Sequence, residues 1–238
     1  MKLIDIRKSP SLTDTIIDKY VWSFVLCIVY ILLISLLISE VTSVDFWFHL
    51  KVGEWIFLND KVPTNDILSY TASDHPYLDS HWLFQFLIYF VYNLAGLKGL
   101  IFLKICIFSI PFYCLLKVTE GRKSVFTIVL IIIGVVLVQE RSFLRPEMIT
   151  FLFSTLYLLI LSRYKESSSK IIYVLPALQV LWTNMHGLFI IGIFIVFCSV
   201  VGELIAGKIM LRCKCYEHTP LEGKHFNKLF LVFLVVIV

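Results

Sequence analysis

The chain has 238 residues, of which 59% are hydrophobic and 16% charged, and its formal net charge is +4. Soluble domains are roughly half apolar and about a quarter charged, so this composition excludes an ordinary soluble protein. The basic residues form short flanks beside apolar runs and no contiguous patch, which argues against nucleic acid as a partner. We therefore predict an all-α fold, in the form of a polytopic helical membrane protein.

The first 39 residues predict a cytoplasmic N-terminus followed by one span. Residues 1–20 are rich in Lys and Arg, which mark the cytoplasmic side of a membrane. Residues 21–39 carry no charge and are long enough to form the first transmembrane helix. This arrangement is typical of a multi-pass protein of the plasma (inner) membrane.

Residues 40–81 predict a large first extracytoplasmic loop. Phe46, Leu50 and Ile56 belong to an apolar stripe near helical spacing, which indicates an interfacial helix on the membrane surface. The loop is unusually rich in Asp, His and Trp. Ionisable side chains are costly beside a bilayer, so this loop is where we expect the active site.

Residues 82–207 predict a transmembrane helical bundle. Its apolar segments lie at 82–97, 99–117, 124–139, 147–162, 171–185 and 187–207. Lys117 indicates a cytoplasmic flank, but two complete spans after an extracytoplasmic loop would return the chain to the outside. Either 82–97 does not cross completely, or 82–117 is a broken helix. The uncharged stretch around His186 is too long for one span and predicts a hairpin that turns near 184–187.

The C-terminal part predicts a cytoplasmic loop at 208–228 and a truncated transmembrane segment at 229–238. The final apolar run is too short to cross, so we expect the chain to be an N-terminal fragment of a longer protein. Cys213, Cys215 and His218 lie in the basic loop, but their spacing matches no common zinc pattern. We assign no metal there.

Asp45 and His49 are the first candidate catalytic residues. They are four residues apart, which places them on one face of a helix. A carboxylate at the boundary between water and membrane can serve as a general base, and the imidazole can tune its pKa, bind a phosphate or help to hold a cation. The alternative is an ordinary interfacial helix with a capping Asp at its start.

Further Asp and His residues follow in the same loop. They offer hard ligands at irregular spacing, so the cofactor is unknown and a divalent cation is left open. Asp66, Asp74 and His75 are among these possible ligands, although Asp66 and Asp74 are more typical of a solvated loop. Asp79 and His81 lie against the next segment and are better candidates for substrate binding.

Arg145 and the segment 182–187 supply the remaining candidates. Arg145 follows Arg141 by four residues and precedes Pro146, and Arg is suited to clamp a phosphate. Snorkelling to lipid headgroups is the alternative. In the segment 182–187, Trp182 can stack on a sugar ring, whereas Asn184 and His186 can hydrogen-bond to a sugar or phosphate. A satisfied hydrogen bond between helices is the alternative there.

Taken in this order, the residues resemble the GT-C superfamily of polytopic membrane glycosyltransferases, and more closely an uncharacterised bacterial group within it. The resemblance covers about residues 45–190. The matching stretches are Asp45-Phe-Trp-Phe-His-Leu-Lys-Val-Gly-Glu-Trp-Ile56, Pro63-Thr-Asn-Asp-Ile-Leu-Ser-Tyr-Thr71, His81-Trp-Leu83, Arg145-Pro146 and Leu181-Trp-Thr-Asn-Met-His-Gly187.

The resemblance implies transfer of a sugar from a polyprenyl-phosphate donor to a lipid or glycan acceptor outside the cytoplasm. Asp45 would be the base, with His49 beside it, and Arg145 would hold the donor phosphate. Membrane lipids would be the other partners. Two alternatives stay open: a non-catalytic lipid or polysaccharide transport or assembly protein, and a glycan polymerase or ligase that depends on His186 and Arg145.

Overall fold

The computed structural model describes residues 12–38, 43–71, 75–118, 125–139, 141–167, 169–212, 221 and 223–237. Within these ranges the chain is mainly helical, and the pairing of Asn65 with Pro76 is an isolated bridge rather than a strand. The helices are α1 Leu12–Leu37, α2 Val44–Asn59, α3 Trp82–Val118, α4 Val125–Gln139, α5 Glu147–Ser167, α6 Val174–Met185, α7 Ile190–Arg212 and α8 Gly223–Ile237. The all-α prediction is therefore confirmed for the described residues.

Four of these helices are long and apolar enough to cross a membrane. The candidate spans are Tyr20–Leu37, Trp82–Lys117, Glu147–Ser167 and Gly187–Gly207. Large apolar side chains such as Phe24, Phe102 and Phe194 are mostly exposed on them. Extensive exposed apolar surface is unfavourable in water, and it fits a multi-pass membrane protein.

Three helices extend beyond the apolar segments predicted for them. Helix α1 begins at Leu12 rather than at residue 21, α7 continues to Arg212 rather than ending at 207, and α8 begins at Gly223 rather than at 229. Hydropathy locates the apolar part of a helix, whereas backbone hydrogen bonding continues through polar end turns. Within the predicted loop at 208–228, residues 208–212 and 223–228 are helical.

The helix predicted inside the first loop is present as α2. Its buried side follows the expected apolar stripe and consists of Phe46, Leu50, Val52, Gly53 and Ile56. Asp60 ends the helix in the left-handed conformation at φ 52°, which Asp tolerates better than most residues. The buried stripe packs against the beginning of α3, and Phe57 stacks on Phe86 there.

Helix α3 is broken and folds back on itself at Gly96. The φ angle of Gly96 is 61°, a conformation that favours glycine. An added Cβ at Gly99 would lie 3.3 Å from the carbonyl oxygen of Val91, a residue that a straight helix would place about 12 Å away. The first limb, 82–95, therefore packs against the start of the second limb, 97–118. Of the two alternatives that the sequence left open, the broken helix is the one observed.

The bundle has two chemically different ends. At one end, which we call the loop end, Ser43 beside α2 contacts Arg145 at the start of α5. Helix α5 has 21 residues and is about 30 Å long, so it carries the chain to the opposite end. There Arg163 lines one groove together with Trp22 of α1 and Lys117 of α3, and we call this the basic end.

We expect Gly53→Ala to disrupt the packing of α2 on α3. A Cβ at Gly53 would lie 2.1 Å from the carbonyl oxygen of Gln85, so backbone would have to move. The free energy of unfolding should fall by about 1–3 kcal/mol, the usual range for overpacked sites. The midpoint of thermal unfolding of the purified protein in detergent measures this change.

Gly202→Ala is the matched control. An added Cβ there has open space within 4 Å in the described structure, and Ala is favoured over Gly inside a helix. This variant should keep or raise the unfolding midpoint. An unchanged midpoint in Gly53→Ala would contradict the close contact of α2 with α3.

Candidate functional site

An ion pair at the loop end joins α2 to the turn before α5. The Arg145 Nη2 atom lies 3.1 Å from Asp45 Oδ2, and Arg145 Nε donates a hydrogen bond of 2.9 Å to Ser43 Oγ. The Arg145 guanidinium also lies over the ring of Phe143 at 5.3 Å. The Asp45 side chain is 58% exposed and the Arg145 side chain 35% exposed, so a ligand can reach both groups from the protein surface.

Three histidines form a row beside this ion pair. The ring centroids of His49 and His81 are 5.7 Å apart, and those of His81 and His186 are 5.6 Å apart. These residues come from α2, from the residue before α3 and from the turn between α6 and α7. Segments distant in sequence therefore place three imidazole side chains next to one another, with His81 in the middle.

The environment of the row favours neutral imidazoles. The pKa of His49 is lowered to about 4, first by burial and then by neighbouring His81, against the opposing effect of Asp45. Burial likewise lowers the pKa of His186 to about 4, again with a contribution from His81. Burial also lowers the pKa of His81, although Asp79 opposes this shift. At neutral pH the row can therefore donate and accept hydrogen bonds without carrying charge.

Two polar residues in helices orient the outer imidazoles. Gln85 Nε2 lies 3.2 Å from His49 Nδ1, and Thr150 Oγ1 lies 2.7 Å from His186 Nδ1. If Gln85 donates to His49 Nδ1, the proton of the neutral ring is on Nε2. Neither Gln85 nor Thr150 was a sequence candidate, because an isolated polar residue in an apolar helix does not reveal which residue it faces.

The turn at 184–187 forms the third side of the site. Helix α6 ends at Met185, and His186 is extended, with φ −158° and ψ 137°. The Trp82 indole donates a hydrogen bond of 2.8 Å to Asn184 Oδ1, which ties this turn to the start of α3. Asn184 Nδ2 also donates to the carbonyl of Val180, so this amide is used to position the turn.

Trp182 does not offer the sugar-stacking surface that the sequence predicted. The side chain is fully buried and packs against Phe153 and Tyr157 at ring-centroid distances of 5.6 and 5.5 Å. Its Nε1 points toward Thr150 Oγ1 at 3.4 Å. The indole is large and apolar and fills the core between α5 and α6, so it supports the His186 turn from behind.

Asp79 lies at the entry to α3, and its predicted role in substrate binding stays a prediction. It is only 7% exposed, and its Oδ1 accepts a hydrogen bond of 2.9 Å from the backbone N–H of His81. Burial raises the pKa of Asp79, while the His81 N–H acts in the opposite direction. Asp79 therefore positions His81 at the entry to α3 through Oδ1, while its buried Oδ2 has no hydrogen-bond partner among the described residues.

The other sequence candidates lie apart from the row. Asp66 caps the backbone N–H groups of Leu68 and Ser69, and His75 and Arg141 are exposed. Asp74 and the Cys213, Cys215 and His218 set lie outside the described residues. Among the residues that the structure describes, no group of three or more His, Cys, Asp or Glu is arranged to hold a metal ion.

No family model, curated protein or solved structure matches the chain. The resemblance to GT-C glycosyltransferases therefore rests on the sequence motifs. The groups that could take part in chemistry at this site are the Asp45–Arg145 ion pair and the three histidines.

We expect the stability of the protein to fall on acidification. Histidines titrate near pH 6.5 in an unfolded chain, whereas the pKa of His186 in the folded protein is about 4. Below pH 6.5 the unfolded chain therefore binds protons that the folded chain does not. The effect is absent above pH 7, grows as the pH falls toward 4, and amounts to about 2 kcal/mol for His186 at pH 5.

His186→Gln tests this assignment, because Gln can keep a hydrogen bond to Thr150 but does not titrate. The decrease in unfolding midpoint between pH 7.5 and pH 5 should become smaller in this variant. His75→Gln removes an exposed imidazole and should leave the decrease unchanged. An equal pH dependence in the wild type and His186→Gln would contradict a neutral, buried His186.

Proposed function

We propose that the chain is a membrane glycosyltransferase, or part of one, that transfers a sugar from a polyprenyl-phosphate donor to a lipid or glycan acceptor. The observation that carries this proposal is the exposed Asp45–Arg145 ion pair beside three neutral imidazoles. A carboxylate supplies a general base, and a guanidinium supplies a phosphate clamp. A lipid-linked donor already carries its leaving group, so the reaction needs no nucleotide-binding fold.

The proposed setting is the plasma (inner) membrane, with the N-terminus in the cytoplasm and the loop end outside. The support is electrostatic, since Lys117, Arg163 and Lys165 lie toward the basic end, and cytoplasmic flanks are enriched in such residues. Outside the membrane, the site would meet a flipped lipid-linked donor whose phosphate lies at headgroup depth. Helix α2 would lie along that surface.

In the proposed reaction, an acceptor hydroxyl attacks the anomeric carbon of the donor sugar. A new bond forms between the acceptor oxygen and that carbon, and the bond from the carbon to the phosphate oxygen breaks. Asp45 accepts the proton of the hydroxyl, and polyprenyl phosphate departs with the bonding electron pair. Arg145 stabilises the negative charge that develops on the departing phosphate, and His49 and His81 contribute hydrogen bonds.

The ion pair gives the site a resting and an engaged arrangement. Arg145 holds Asp45 at 3.1 Å, so neither group is fully available to a substrate in this arrangement. The donor phosphodiester carries one negative charge, as a carboxylate does, and its two unbridged oxygens can accept from the same guanidinium in place of Asp45. Binding of the donor would therefore release Asp45 toward the acceptor hydroxyl.

A non-catalytic transport or assembly protein is the second candidate. The contacts that favour it are the same ion pair and the Ser43 hydrogen bond, because they tie α2 to the start of α5 and can serve packing alone. The two candidates differ in the result expected when the Asp45 charge is removed. In the non-catalytic protein, a polar replacement of the same size keeps function.

We expect Asp45→Asn to abolish sugar transfer. The amide keeps the size of the side chain but cannot accept a proton, and loss of a general base lowers rates by about 10²–10⁴-fold. Inverted or right-side-out membrane vesicles supplied with radiolabelled polyprenyl-phosphate sugars measure this transfer. Asp60→Asn is the matched control, because Asp60 is exposed and Asn tolerates its left-handed backbone. Full transfer by Asp45→Asn at wild-type membrane levels would contradict catalysis by Asp45.

We also expect the two ends of the bundle to be labelled from opposite sides of the membrane. Tyr70 is 99% exposed in the first loop, and Lys170 is exposed just after α5. A membrane-impermeant maleimide should label Tyr70→Cys in intact cells but label Lys170→Cys only after permeabilisation. The reverse pattern would contradict the proposed orientation without bearing on the catalytic roles.

A further inference from the structure

The basic end contains a groove that the proposed reaction does not use. It lies between α1, the second limb of α3 and α5, and its volume is about 640 Å³. Its lining residues include Trp22, Leu26, Tyr30, Tyr113, Lys117 and Arg163. It is separated from the histidine row by most of the length of α5, about 25 Å for the turns from Glu147 to Arg163.

The groove combines two cations with apolar walls. Lys117 and Arg163 are both close to the ends of their helices, where the candidate spans meet the aqueous boundary. The Lys117 ammonium lies 5.4 Å from the Tyr113 ring centroid, and Arg163 lies 3.6 Å from Glu166. Among the described side chains at this groove, Glu166 is the carboxylate that neutralises Arg163, and Lys117 adds a second cation. The groove therefore has a net positive charge.

Tyr30 gives the groove a polar group at depth. Trp22, Leu26 and Tyr30 are spaced four residues apart on one face of α1, so Tyr30 lies about 12 Å along the helix from Trp22. The Tyr30 hydroxyl is buried and has no hydrogen-bond partner among the described residues. A buried hydroxyl without a partner is uncommon, and this one is available to a ligand that parts the side chains around it.

We infer that this groove binds the headgroup and glycerol region of an anionic phospholipid. The phosphate would contact Lys117 and Arg163, and an ester carbonyl would accept a hydrogen bond from the Tyr30 hydroxyl. Leu26 and Trp22 would pack on the first acyl carbons. Basic pockets between transmembrane helices are established sites for anionic headgroups.

The depth of the groove distinguishes a glycerophospholipid from other sources of phosphate. Inorganic phosphate reaches the two cations but has no group to reach Tyr30 and no chain to fill the apolar walls. A polyprenyl phosphate fills the walls but lacks an ester carbonyl to accept from Tyr30. A zwitterionic phospholipid has the ester carbonyls but adds a cationic group beside Lys117 and Arg163.

The lipid preference of the purified full chain tests this inference. The protein in detergent is titrated with phosphatidylglycerol or phosphatidylcholine, and bound lipid is counted by native mass spectrometry. We expect phosphatidylglycerol to bind at least about tenfold more tightly, the change that one charge-assisted hydrogen bond provides. Millimolar inorganic phosphate should not displace it.

Three variants locate the site. Lys117→Gln with Arg163→Gln should remove the preference for phosphatidylglycerol, and Tyr30→Phe should weaken both phospholipids while keeping all charges. Lys98→Gln removes an exposed cation near the other end of the second limb of α3 and should bind as the wild type does. Tyr30→Phe removes only one oxygen, so it tests the site even if the double variant does not fold.

Several results would overturn the inference. The wild type could bind the two phospholipids equally, or the double variant could keep the preference for phosphatidylglycerol. Lys98→Gln could lose that preference as the double variant does, or Tyr30→Phe could bind as the wild type does. Displacement by inorganic phosphate would instead identify a free-phosphate site. None of these results depends on sugar transfer, so the inference stands or falls separately from the proposed function.

Discussion

The contact between α2 and the first limb of α3 determines where the functional groups lie. Gly53 lacks a side chain, so the α2 backbone approaches the carbonyl of Gln85 closely. That approach brings His49 of α2 within reach of the Gln85 amide and of His81. Two hydrogen bonds then attach the neighbouring turns to these helices. Arg145 donates to Ser43 beside α2, and Trp82 of α3 donates to Asn184.

A second constraint is the fold-back at Gly96. The first limb of α3 can pair with α2 because the chain reverses there and continues as the second limb toward Lys117. A continuous helix of 37 residues would be about 55 Å long, well beyond the roughly 30 Å of hydrocarbon in a bilayer. The break divides the candidate span Trp82–Lys117 into two shorter limbs, of which the first packs on α2.

Much of this arrangement follows from the sequence where the signal is local. The apolar stripe of α2 and the turn near His186 depend on residues within a few positions of one another, and both are present as predicted. The partners Gln85 and Thr150 come from distant segments, and no local pattern identifies them. Trp182 and Asp79 were assigned to a ligand by residue type, but residue type does not reveal burial.

The two ends of the bundle divide the chemistry. The loop end combines an exposed ion pair with neutral imidazoles, which suits proton transfer and recognition of phosphate. The basic end combines cations, aromatic rings and a deep groove, which suits a lipid headgroup. In the two proposals, the loop end would bind the lipid-linked donor and the basic end would bind a phospholipid headgroup.

The most direct test of the loop-end site is to map a photoreactive polyprenyl phosphate on the protein in membranes. After irradiation, cross-linked peptides are identified by mass spectrometry, with excess unlabelled polyprenyl phosphate as the competitor. Competed cross-links should fall in α2, in the turn at 141–146 and around His186. Cross-links confined to the groove formed by Trp22, Lys117 and Arg163 would contradict a donor site at the loop end.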